Sequence, residues 1–216
     1  MRIGKTITLM MCICVLGLAA CGEKTPDTKD ELAPASTKSS VSVNKDGSIV
    51  STIVEDFVES YYDVEGLKSM IESSIAAYKA ENSAAEIKLK SCKAKDGVAN
   101  VVIEFGDYQA YAGFNQENFF VGTIKDANMA GYDLNVTLSA VSEKSENVTV
   151  SKPELLGMGD SHVVIVENVE NQEAEPDLMR VDCFGEILYV GDGVTAVGKK
   201  SVNVSYSEGS KMIVFK

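Results

Sequence analysis

Asp63-Val64-Glu65-Gly66-Leu67-Lys68-Ser69-Met70-Ile71-Glu72-Ser73-Ser74-Ile75-Ala76-Ala77-Tyr78 is the stretch on which the fold class turns. Leu67, Met70, Ile71, Ile75 and Tyr78 recur at helical spacing, with lysine and glutamate between them, so one face of a helix is apolar. Asp63 stands where an N-cap belongs, its carboxylate placed to accept from the first free amides. The spacing predicts one amphipathic helix whose stripe is core packing.

What surrounds this helix reads as strand. Gly47 to Val54 is β-branched and follows the turn dipeptide Asp46-Gly47. Beyond the helix, Ile87 and Leu89 alternate with Glu86, Lys88 and Lys90, and Lys95-Asp96-Gly97 turns the chain into Val101, Ile103 and Phe105, the pattern of a β-hairpin. From Asp107 to Tyr132 aromatic and small residues mix without alternation, which predicts one or two short helices ending near Gly131. Short β-rich runs then follow at Asn135–Val141, His162–Val169, Met179–Phe184, Glu186–Val190, Ser201–Tyr206 and Met212–Phe215, with turns at Phe184-Gly185 and Asp192-Gly193. The expected class is α+β: one main helix and short helices with antiparallel strands, and a strand-rich C-terminal half. The expected division is an α+β domain over residues 46–152 and a β-rich part or subdomain over 153–216.

The N-terminus has a different logic. Arg2 and Lys5 precede the apolar run Ile7–Leu18, and the small residues Ala19 and Ala20 follow it, the order of a secretory signal. The run is shorter than the ~20 residues a membrane-spanning helix needs. Leu18-Ala19-Ala20-Cys21 resembles the lipobox of bacterial lipoproteins, which implies a signal peptide over 1–20, a diacylglyceryl group on the Cys21 sulfur and cleavage before that residue. Two acyl chains hold a protein stably on a bilayer where one holds it marginally. Residues 21–45 are rich in Lys, Asp, Glu, Ser, Thr and Pro and poor in large apolar side chains, so they read as a tether that cannot bury enough surface to fold.

Of 216 residues, 45% are hydrophobic, enough for a real core. Losing Arg2 and Lys5 with the signal leaves 18 bases against 32 acids, a net charge of −14. That sign repels nucleic acid and anionic lipid, and no basic run offsets it locally, so no nucleic-acid partner is expected. Cys12 and Cys14 leave with the signal, which keeps Cys92 and Cys183 in the folded part. An extracytoplasmic compartment permits a disulfide between them, whereas two buried, unreactive thiols need no special geometry and are the expected state.

Candidate chemistry is sparse. Asp160-Ser161-His162 holds the residue types of a hydrolase triad, yet neighbours in an extended segment point to opposite sides. No CxxC or HExxH spacing supports a zinc site of His162, Cys92 and Cys183, so no metal or cofactor is expected. Asn44 and Asp46 stand like calcium-loop ligands, but Ser42 and Ile53 occupy the positions that need Asp and Glu. Glu55, Asp56, Glu59 and Asp63 cluster beside Tyr61 and Tyr62, a set able to serve a glycosidase as acid and base with rings to stack on a sugar. Tyr108, Tyr111, Phe114, Phe119 and Phe120 form the densest aromatic group, either a binding patch if exposed or packing between helices and sheet if buried; burial is the expectation.

From Asp46 onward the chain resembles uncharacterised bacterial lipoproteins of anaerobic Firmicutes, in Ser48-Ile49-Val50, Tyr61-Tyr62-Asp63, Leu67-Lys68-Ser69-Met70-Ile71, Gly185-Glu186-Ile187-Leu188-Tyr189-Val190 and Gly198-Lys199-Lys200-Ser201-Val202. The resemblance implies a surface lipoprotein and brings no catalytic residues. The expected function is a membrane-anchored extracytoplasmic lipoprotein, held on the outer face of the cell membrane through diacylglyceryl-Cys21, acting as a non-enzymatic module that binds an envelope protein or glycan. The alternative is a small carboxylate-dependent hydrolase of cell-surface or extracellular glycans. A solute-binding subunit would need two larger lobes around a cleft.

Overall fold

A computed structural model describes residues 38–141, 150–168, 178–205 and 207–216. The expected signal peptide, with Leu18, Ala19, Ala20 and Cys21, and the expected tether up to residue 37 lie outside them, as do Val169 and Tyr206 at the ends of two expected strands. In chain order the elements begin with β1 (Ser40–Val43), β2 (Ile49–Asp56), α1 (Val64–Glu81), β3 (Ile87–Lys95) and β4 (Val98–Phe105). Then come α2 (Tyr108–Asn115), β5 (Asn118–Thr123), α3 (Ile124–Met129), β6 (Leu138–Ala140) and α4 (Lys152–Gly157). The chain finishes with β7 (His162–Asn168), β8 (Leu178–Cys183), β9 (Ile187–Gly191), β10 (Val194–Ala196), β11 (Ser201–Ser205) and β12 (Gly209–Phe215). The fold is α+β.

Two sheets organise these elements. The larger has the order β10-β11-β8-β1-β2-β4-β3 and the smaller β5-β7-β12-β9-β6. All their pairings are antiparallel except β1 with β8. In β2 and β4 the burial alternates with period two: Ile49, Ser51 and Ile53, and Ala99, Val101, Ile103 and Phe105, turn inward. In β7 and β12 the pattern changes, because Val163 to Val166 and Met212 to Phe215 are buried without a break. Those two strands lie between two cores. One core joins Val164, Val166, Ile213 and Phe215 to the inner face of the larger sheet and to Leu67, Ile71 and Ile75 of α1. The other joins Val163, Ile165, Met212 and Val214 to Ile124 and Ala127 of α3, Leu155 of α4, and Leu134 and Leu138. A strand covered on both faces reads as a continuous apolar run, which is how these runs read in the sequence.

The main helix is where its spacing puts it. Asp63 caps it by accepting from the amides of Glu65 and Gly66 at 3.1 and 2.9 Å. Met70 and Tyr78 pack at the margin of the stripe.

Three expectations change. The tether predicted to run to residue 45 gives way to β1: Val41 and Val43 are buried and paired on both sides, to β2 and to β8. Two valines alternating with serines are a minimal period-two signal, and neighbours remote in sequence make them a central strand. The region 107–132 holds two short helices as expected, but β5 lies between them, extended by its pairing with β7. A boundary near Pro153 does not separate two cores, because β8 and β11 complete the sheet of β1 to β4, and β5 and β6 complete the sheet of β7, β9 and β12.

Candidate functional site

The aromatic group resolves as packing. Tyr111, Phe119 and Phe120 are buried, and Tyr108 and Phe114 are half-buried. Phe105 meets Tyr111 edge-on at 5.3 Å, Tyr111 meets Phe119 at 4.8 Å, and Tyr78 of α1 meets Phe114 at 5.6 Å. Gly113 lets this happen, since a Cβ there would run into the Tyr78 hydroxyl oxygen. The group joins α2 to the sheets and leaves no ring patch on the surface. Burial of the Tyr108 ring, followed by the charges of Asp107 and Asp126, pushes its hydroxyl above the ordinary value.

The other sequence candidates also settle into structural roles. His162 packs its ring against Phe184 at 4.8 Å and Phe215 at 5.5 Å, while Ser161 is buried and Asp160 exposed, so the three do not form a relay. Asn44 and Asp46 close the β1–β2 hairpin. Asn44 Nδ2 donates to Ser48 Oγ, and Ser48 donates to Asp46 Oδ1 from both its amide and its hydroxyl, which holds that carboxyl below its usual range. Among the described residues no group of three or more His, Cys, Asp and Glu could hold a metal.

Cys92 and Cys183 are free thiols. They lie on β3 and β8, four strand positions apart in the larger sheet, so about 19 Å separates them across the strands alone. A disulfide tolerates about 7 Å between Cα atoms, and the bridge is excluded. Burial pushes the Cys183 thiol up to about 12, and Cys92 is raised by burial first and by the charge of Glu65 second.

Of the exposed large apolar side chains among the described residues, Val58, Tyr61 and Val98 belong to a tip at one end of the larger sheet, and Met129, Leu156 and Val197 lie outside it. The β3–β4 hairpin turns through Asp96 (φ 54°) and Gly97 (φ 77°), both left-handed, the two-residue turn that matches strand twist. Phe57 donates its amide to the Gly97 carbonyl at 2.7 Å, which lays the loop after β2 along this turn. Val58 is 71% exposed, Tyr61 64% and Val98 37%, and Gly97 lies against the Val58 side chain. Phe57 stacks on Tyr62 at 4.9 Å and Tyr62 on Tyr61 at 5.0 Å, so the exposed ring stands on a stack rooted in the core. Glu55, Asp56, Glu59 and Asp63 are exposed and close in sequence to it, Glu55 and Asp56 on opposite faces of β2, and Asp63 is committed to the α1 cap. The sequence singled out Tyr61, Tyr62 and these carboxylates; Val58 and Val98 were missed because only the Gly97 turn brings them together.

The chain reaches its first strand at this same end. Ser39 Oγ donates to the Val54 carbonyl and accepts from the Val54 amide, at 3.1 and 2.9 Å. No helix among the described residues is long and apolar enough to cross a membrane. The chain matches no protein-family model, no curated protein and no solved structure.

Proposed function

We propose that this chain is a lipoprotein anchored through diacylglyceryl-Cys21 to the outer face of the cell membrane, and that its domain is a binding module for an envelope component. The observation that carries the binding reading is the tip: an exposed tyrosine and two exposed valines, the ring resting on half-buried Tyr62 and Phe57, with exposed carboxylates close in sequence. An apolar group of this kind on a soluble surface marks an interaction site, and tyrosine supplies contact area at small entropic cost. A ring beside carboxylates suits a glycan, whose apolar face stacks while its hydroxyls donate. The path from Cys21 to Ser39 is eighteen residues, at most about 60 Å, so the tip meets ligands close to the bilayer.

The test is co-sedimentation of the purified protein with protein-stripped cell walls and with membranes of a Gram-positive host. Tyr61→Ala should weaken binding to one fraction about thirtyfold, the loss of a tyrosine worth about 2 kcal/mol at an interface. Binding unchanged in Tyr61→Ala and Val58→Ser would refute the tip as the site.

A further inference from the structure

We propose that the outer edge of β3 is a docking site for an extended peptide in which acidic and apolar residues alternate, added to the sheet as an eighth strand. β3 is nine residues long and stands at the end of the larger sheet, with β4 its one strand neighbour among the described residues. Its register fixes what each face presents. Ile87, Leu89 and Cys92 lie opposite Phe105, Ile103 and Val101, on the core side that α1 covers. Lys88, Ser91, Lys93 and Lys95 lie opposite Glu104, Val102, Asn100 and Val98 on the outer side.

Lys90 is the extra residue of a bulge between Leu89 and Ser91, and its ammonium reaches Glu104 on the same outer side at 3.3 Å. The bulge thus keeps Lys88, Lys90, Lys93 and Lys95 on one face, where strict alternation over that span would have split them. All four are exposed, on a protein of net charge −12.

An open edge offers main-chain donors and acceptors, and lysines on it repel strands of like charge. A second copy of β3 would bring four lysines against four, which disfavours pairing of β3 with itself. An acidic strand meets the opposite condition: alternate carboxylates face the lysine row while alternate apolar side chains reach Leu89 and Cys92, both half-buried beside α1. The bulge interrupts the ladder at Lys90, so pairing concentrates on Ser91–Lys95. This surface adjoins the tip at Lys95, which lies opposite Val98, and does not depend on the anchor.

The test uses the full-length chain and a fluorescein-labelled octapeptide of alternating Glu and Val, followed by anisotropy, with backbone amide exchange as the second readout. The expected result is saturable binding, weakened about tenfold in Lys93→Gln/Lys95→Gln, as two exposed ion pairs of about 0.7 kcal/mol each imply. Slowed exchange is expected at Ser91–Lys95, and loss of binding when alternate amides of the peptide are N-methylated. Equal binding of a Lys-Val peptide or of poly-glutamate, binding indifferent to the double substitution or to N-methylation, or protection elsewhere would each overturn strand addition.

Discussion

Replacing Val41 and Val43 by alanine asks whether the segment around them is strand or tether. Both side chains point into the larger core, at 5% and 2% exposure. Each substitution removes two buried carbons, about 1.6 kcal/mol of transfer free energy at about 0.8 per carbon. The cavity left in a close-packed core raises this to about 2 kcal/mol or a little more. Taken as additive, the two substitutions together should cost about 4 kcal/mol. With a urea m-value of about 2 kcal/mol/M, the unfolding midpoint should fall by about 2 M. Surface substitutions in an unstructured tether stay within about 0.5 kcal/mol, a shift of about 0.25 M. Ser40→Ala/Ser42→Ala, on the outward face of the same strand, is the matched control. A midpoint lowered by less than 0.5 M, with m unchanged, would refute β1 as a central strand.

Gly185→Ala should be destabilising by about 2 kcal/mol, because the added Cβ would stand 2.5 Å from the Lys216 carbonyl oxygen and part the Glu186–Lys216 backbone pair; a thermal midpoint within 1 °C of wild type would contradict this. In the mature chain, denatured without reductant, Cys92 and Cys183 should titrate as two thiols, while in the native protein at pH 8 Cys183 should resist modification, its thiol pushed up to about 12 by burial; no titratable thiol on denaturation would restore the bridge. The Thr123 hydroxyl, followed by the Thr123 amide, holds the Asp126 carboxyl below its ordinary value at the start of α3. A depressed carboxylate contributes stability above its unfolded value of about 4 and loses it as pH falls through the lower folded value. The gap in urea midpoint between wild type and Asp126→Ala should therefore narrow from pH 6 to pH 2, and a gap that stays constant would count against this assignment.

The parts of the fold written in local periodicity were legible. The stripe from Leu67 to Tyr78 and its Asp63 cap, and the alternation that meets at Asp96-Gly97, need no information from elsewhere in the chain. β1 and β5 were not legible in this way. Val41 and Val43 become a strand because β8, more than a hundred residues on, pairs beside them, and Asn118–Thr123 is extended because β7 holds it. The interleaving of both halves in both sheets was hidden for the same reason: periodicity reports which face a residue turns inward and says nothing about its partner. At the candidate site, Tyr61 and its carboxylates stood out by residue type, whereas Val58 and Val98, forty residues apart, needed the turn between them. The lysines of β3 looked like the ordinary polar half of a hairpin until the bulge at Lys90 placed them in one row.

Intact mass and fragmentation of the N-terminal peptide, taken from protein extracted from membranes of a Gram-positive host, tests the anchored module most directly. The account predicts an N-terminal Cys21 carrying a diacylglyceryl group, and an uncut, unlipidated precursor in Cys21→Ala. An unmodified N-terminus in the wild-type protein would contradict the anchor and with it the membrane-proximal placement of the tip.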